Sequence, residues 1–237
     1  MIAVPLLPLL ALATPPAADP PLANEMHERF QTVLRIREHV IQGQLDEARK
    51  LAAEITGPES PAGTPVSWKE WTDRLYDGAV KLEEAKDIDA AAMALARVGA
   101  TCADCHVAHD GGPGLERMRS IPPQEWSAGD NMPLHLWAVD WMWLGLLSPS
   151  EVAWHRGASE LASEPLAKAF GEGSPKAKEL EAKVYALAKE ALALGEERRG
   201  ERTRVMGEML ATCADCHHLR DQGEVRPPQK LDPLSAP

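Results

Sequence analysis

A chain of 237 residues, 44% hydrophobic and 26% charged, has enough apolar side chain to bury the core of one large domain or two small ones. Its formal charge of -11 argues against nucleic acid as a partner, because phosphate binding needs clustered Lys and Arg, and it makes any charged partner a basic one. Ala, Leu and Glu are the most frequent residues and β-branched runs are nearly absent, so the predicted fold class is all-α.

Residues 1–22 open with a short apolar stretch ending in Ala11-Leu12-Ala13, followed by a Pro-rich run that cannot hold a helix. This is the pattern of an export signal with a leader, although no Lys or Arg precedes the apolar core and Pro5 and Pro8 interrupt it. The stretch is too short to span a bilayer, which takes about 20 residues. The expectation is an exported, periplasmic protein with no integral membrane span after signal removal.

From Asn24 to Gln42, Met26, Phe30, Val33, Leu34, Val40 and Ile41 recur at helical spacing and give one apolar stripe, ended by Gly43. Leu45 to Ile55 predicts a shorter helix. Ser67-Trp68-Lys69-Glu70 has the form of a capping box, and Trp68, Trp71, Leu75, Ala79 and Leu82 continue on one face. A fourth helix is predicted from Ile88 to His106. The same order then returns, with helices over Met132 to Leu147 and Ser150 to Ser163, a third opened by Ser174-Pro175, and a last from Glu201 to Leu219.

An ungapped overlay that sets Met26 on Met132 also sets Val33 on Val139, Val40 on Leu146, Ile41 on Leu147 and Gly43 on Pro149. The two halves therefore enter and leave their first helix alike. Repetition of this kind predicts two tandem four-helix bundles, over residues 23–112 and 132–221, joined by a linker at 113–131 and followed by a disordered tail at 222–237.

Each half ends in the same seven letters, ATCADCH, at residues 100–106 and 211–217. All four cysteines of the chain, Cys102, Cys105, Cys213 and Cys216, lie inside them. C-x-x-C-H is the attachment signature of a c-type haem: two thiols one helical turn apart add across vinyl groups of one porphyrin edge, and the adjacent imidazole, His106 or His217, reaches the iron. Competing readings of such cysteines are a thioredoxin-like redox pair, which needs a βαβ setting, a zinc site, which needs the pairs brought together or completed by His, and inert buried thiols, which need no His. The motif predicts two covalently attached haems and maturation outside the cytoplasm.

With C-x-x-C-H at the end of the fourth helix of a bundle, once at Cys102 to His106 and again at Cys213 to His217, the chain resembles the cytochrome c-prime family and its six-coordinate four-helix relatives. The family usually continues with an aromatic and a basic residue; here the motifs run on into Val107-Ala108-His109 and His218-Leu219-Arg220. Up-down-up-down topology brings the start of helix one to the pole where helix four ends. Met26 and Met132 stand there, and the resemblance implies that a Met at this position is the sixth iron ligand. His27 and His135 are the rivals. An apolar, open distal site, as in the family prototype, is the third arrangement. The resemblance also implies that two copies pair through apolar faces.

His39, His109, His155 and His218 are expected at the surface, and Asp104 and Asp215 solvated. Trp137, Trp141 and Trp143 fall too close together for one helix face, so some are expected to pack outside their own bundle. The functional expectation is a periplasmic dihaem electron carrier, not an enzyme, exchanging electrons with basic redox proteins. A gas-binding protein with open distal sites is the alternative. A dihaem peroxidase would need several distal acid/base and cationic groups, and the segment from Met132 to Trp137 offers one candidate.

Overall fold

A computed structural model describes residues 20–56, 64–109, 111, 132–163 and 175–220. The expected linker and tail, and the leader up to residue 19, lie outside these. Among the described residues the structure is all-helical: α1 (Pro20–Ile41), α2 (Leu45–Ile55), α3 (Lys69–Glu83), α4 (Ile88–Ala108), α5 (Met132–Leu147), α6 (Glu151–Ser163), α7 (Pro175–Leu192) and α8 (Arg199–Arg220). Short 3₁₀ turns at Val66–Trp68 and Glu196–Arg198 precede α3 and α8.

Local chemistry accounts for most boundaries. The α1 helix begins at Pro20, inside the stretch expected as leader, because proline is tolerated in a first turn, where N–H groups have no intrahelical partner. It ends where Gly43 takes φ +70° and its N–H returns to the Val40 carbonyl at 3.0 Å. Asp87 caps α4 by accepting from the Ala90 N–H at 2.8 Å, and the Ser150 hydroxyl accepts from the Ala153 N–H at 3.2 Å at the start of α6. The expected Ser67 cap does not form. Residues 66–68 are already wound into a 3₁₀ turn whose amides bond backward, and no side-chain cap precedes Lys69.

Within each half, helices consecutive in sequence are neighbours, and the most extensive pairings are α3 with α4 and α5 with α6. The halves meet mainly along α4 and α8, with further contact of α1 with α8 and of α4 with α5. The α4–α8 pair runs antiparallel: Arg199 at the start of α8 bonds Asp104 near the end of α4 at 3.0 Å, while Gly207 lies against Met93. A Cβ at Gly207 would fall 3.1 Å from Met93 Cα, backbone that cannot swing aside, so glycine favours this close approach. Residues on α4, α5 and α8 that bury every side, such as Leu95, Met142, Trp143, Met206 and Leu210, join those of α1 and α2 in one continuous core.

Trp143 leaves its own half to reach α4, as its crowded helix required. A Cβ on Gly99 would meet its ring edge at 3.1 Å. Trp137 and Trp141 instead tilt against each other at 5.7 Å, with the Arg156 guanidinium over both rings.

Candidate functional site

The repeated string is helical in both halves, which puts the first Cys, the second Cys and the His at i, i+3 and i+4 on one helix face. Its other letters also have work that repeats. Thr101 and Thr212 are buried and donate to the carbonyls four residues back, Arg97 at 2.9 Å and Glu208 at 2.6 Å, so neither hydroxyl is left unsatisfied in the core. Ala103 and Ala214 are both buried.

No two of the four cysteines are joined in a disulfide. Burial pushes Cys102 and Cys213 up to about 12, each raised further by the second thiol of its own motif. Burial likewise takes Cys216 to about 11, with Asp215 and Glu181 adding to it, and raises Cys105. Each of these shifts disfavours the thiolate. Two arginines of α1 work against that trend, Arg29 on Cys102 and Arg37 on Cys213. One helix therefore touches the surroundings of both motifs.

His106 is half-buried, with Nδ1 3.2 Å from the Leu147 carbonyl at the end of α5. Desolvation lowers its pKa and the carbonyl bond partly restores it. A neutral ring facing a carbonyl must carry its proton on Nδ1, which leaves the lone pair on Nε2. His217 is also half-buried.

The two motif aspartates differ. Asp215 is exposed as expected, whereas Asp104 is bonded by Arg74 of α3 at 2.9 Å and Arg199 of α8 at 3.0 Å. Solvation was the wrong expectation for Asp104 because the α4–α8 seam brings a basic helix start to it.

Met26 is half-buried on α1, one turn before Arg29, the arginine that acts electrostatically on Cys102; His27, its neighbour, is exposed. Met132 falls in α5, but its side chain lies outside the described residues. His135 is 6% exposed and so one of few buried polar side chains. The two rival histidines therefore stand in unlike surroundings. Of the histidines expected at the surface, His218 is exposed; His39 is half-buried and bonds Gln44 at 2.6 Å, the His109 ring lies tilted against Trp68 at 5.0 Å, and His155 bonds Glu151 at 2.7 Å.

Among the described residues, no three of His, Cys, Asp and Glu come together in a way that could hold a metal ion unaided. The antiparallel seam puts the two cysteine pairs at opposite ends, with the motif histidines roughly 30 Å apart at 1.5 Å of rise per residue. A shared four-thiolate zinc site is not formed. Sequence reasoning missed the Leu147 carbonyl, Arg37 and Arg199; a backbone acceptor has no letter, and two arginines among 25 basic residues carry no mark of their positions. No described helix is long and apolar enough to cross a membrane. Compared with family profiles, with curated proteins and with solved structures, the chain finds no match.

Proposed function

We propose that the protein is a dihaem c-type cytochrome built as two tandem four-helix modules and acting in periplasmic electron transfer. The observation that carries this reading is the duplicated helical face on which two thiols one turn apart precede an imidazole, with His106 held so that Nε2 is its lone-pair nitrogen. This donor set fits a covalently tethered porphyrin. It fits a shared zinc site poorly, since the antiparallel seam holds the two cysteine pairs at opposite ends and no three of His, Cys, Asp and Glu converge among the described residues.

In this reading Cys102 and Cys105 tether the first haem and Cys213 and Cys216 the second, with His106 and His217 as proximal ligands. Met26 and Met132 are the distal ligands, and His135 is the rival at the second site because it is buried in the first turns of α5. A bound haem supplies one-electron exchange at its iron. The chain's own residues set ligation, exclude water and hold the surrounding dielectric low. The charge of -11 steers a basic redox partner in a salt-dependent way.

Treating the exported protein with alkaline pyridine counts covalent haems, and two per chain is the expected result. Carbon monoxide separates this from the gas-binding alternative: Met-ligated ferrous iron reacts slowly or not at all, whereas an open site binds at once.

A further inference from the structure

We infer that one buried water is held between the two halves, accepting from the Nε–H of Arg37 and the indole N–H of Trp143 and donating to the carboxylate of Asp140. The site is a property of the polypeptide and does not depend on the haem reading.

The overlay that sets Val33 on Val139 also sets Arg37 on Trp143 and Leu34 on Asp140. Equivalent positions of a repeat that meet each other lie near the axis relating the halves, so the chain has one such cluster and not two. Helices α1 and α5 each pack on both α4 and α8, and their long side chains reach each other across that seam. Trp143 turns its benzo edge, Cζ3 and Cη2, toward Gly99 of α4, which points the opposite, N–H edge away from α4. The Arg37 guanidinium stands 6.0 Å from the indole, and Asp140, one turn before Trp143 on the same helix, is ion-paired to it. Trp143 is fully buried and the Arg37 side chain is 5% exposed, yet among the described residues neither Arg37 Nε nor Trp143 Nε1 has a hydrogen-bond acceptor. Asp140 Oδ1 lies against Nη2 of Arg37 without a directed bond and keeps lone pairs to offer. Buried polar groups are almost always satisfied, by protein or by ordered water.

Two N–H donors beside a carboxylate decide the chemistry of the occupant. A cation cannot accept from the donors. An anion, a porphyrin carboxylate included, would meet both donors but face the charge of Asp140. A neutral molecule that both accepts and donates satisfies the whole set, and water is the one small enough for a packed interior, where about three polar partners are usual for it. The water ties α1 to α5 and completes the shell of a buried guanidinium that acts on Cys213 of the second motif.

The test uses the full chain labelled with ¹⁵N-tryptophan, reduced under carbon monoxide so that any haem iron is low-spin and diamagnetic, with a Trp143→Phe variant serving only to assign the indole resonance. Water-selected spectra should show a cross-peak between water and the Trp143 indole proton whose Overhauser effects in the laboratory and rotating frames have opposite signs, the mark of a water that stays bound. An indole proton with no water contact, or one that merely exchanges with solvent, overturns the inference. In a crystal structure, which decides if Trp143→Phe does not fold, one water should stand about 2.7–3.2 Å from both nitrogens. A protein acceptor or a porphyrin carboxylate on either nitrogen overturns the inference as well. The outcome is separable from the haem count: a chain with no haem but a bound water at Trp143 keeps this inference and removes the cytochrome reading, while two haems with a porphyrin carboxylate on Arg37 or Trp143 do the reverse.

Discussion

Arg37 of α1 and Asp140 of α5 form an ion pair between the two halves, with the Arg37 side chain only 5% exposed. The guanidinium also lies 6.0 Å from the Trp143 ring and acts electrostatically on Cys213, so the pair belongs to the surroundings of the second motif. Burial raises the Asp140 carboxyl, and Arg37 opposes the rise.

Removing one partner of this pair should be costly, because the other charge is left in the core. Arg37→Met is expected to lower stability by about 3–5 kcal/mol in denaturant titration. The double variant Arg37→Met, Asp140→Leu should recover most of the loss. Equal destabilisation by the single and the double variant would show that packing, not the charge, matters here.

The aspartates of the repeated string offer an internal comparison. Asp104→Asn breaks two ion pairs that tie α4 to α3 and α8 and should cost about 1 kcal/mol, whereas Asp215→Asn should change stability by less than about 0.5 kcal/mol. Matched values for the two variants would contradict the asymmetric setting of the identical motifs.

Glu38 should report on pH. Desolvation raises its carboxyl above the ordinary value, with Arg37 opposing and Asp140 adding to the rise. A raised folded-state pKa means that charging Glu38 costs stability at neutral pH, and that this cost fades as the group protonates in acid. Glu38→Gln should therefore stabilise the protein at pH 7 by less than about 1 kcal/mol, the side chain being partly exposed, and the advantage should vanish below about pH 4.5. Thermal denaturation of both proteins from pH 4 to 8 tests the sign.

Gly207 permits the close α4–α8 approach, so Gly207→Leu should cost about 1–3 kcal/mol through displacement of Met93, and Gly200→Ala, with open space around it, should cost nothing. Urea midpoints of the two variants provide the comparison.

Much of this fold is legible in the letters because the helices are amphipathic and well punctuated. Leu45–Ile55 and Met132–Leu147 emerge with the boundaries expected from apolar spacing, with Gly43 ahead of the first and Ser148-Pro149 beyond the second. The α3 start was misread because Ser67 and Glu70 satisfy the pattern of a cap while the backbone of Val66–Trp68 takes another route to the same end. The repeated string marks the candidate site, but its surroundings depend on how the halves pack. Nothing in the spacing of Met93, Gly207, Arg199 and Asp104 announces the antiparallel seam. For that reason Asp104 looked like Asp215, and the carbonyl facing His106 could not be foreseen.

Iron ligation has its own test in the ferric absorption spectrum. Met26→Ala with Met132→Ala should abolish the weak red charge-transfer band of Met-ligated iron and make the reduced protein bind carbon monoxide at both sites. An unchanged ferric spectrum would remove the two methionines as ligands and turn attention to His135.

Intact mass of the mature exported chain, read beside its alkaline pyridine spectrum, tests the central proposal most directly. The account predicts two haem groups that survive denaturation and acid extraction, with one lost when Cys102 and Cys105 are both replaced by Ser and the other when Cys213 and Cys216 are. An unmodified polypeptide, or zinc in place of iron, would contradict it.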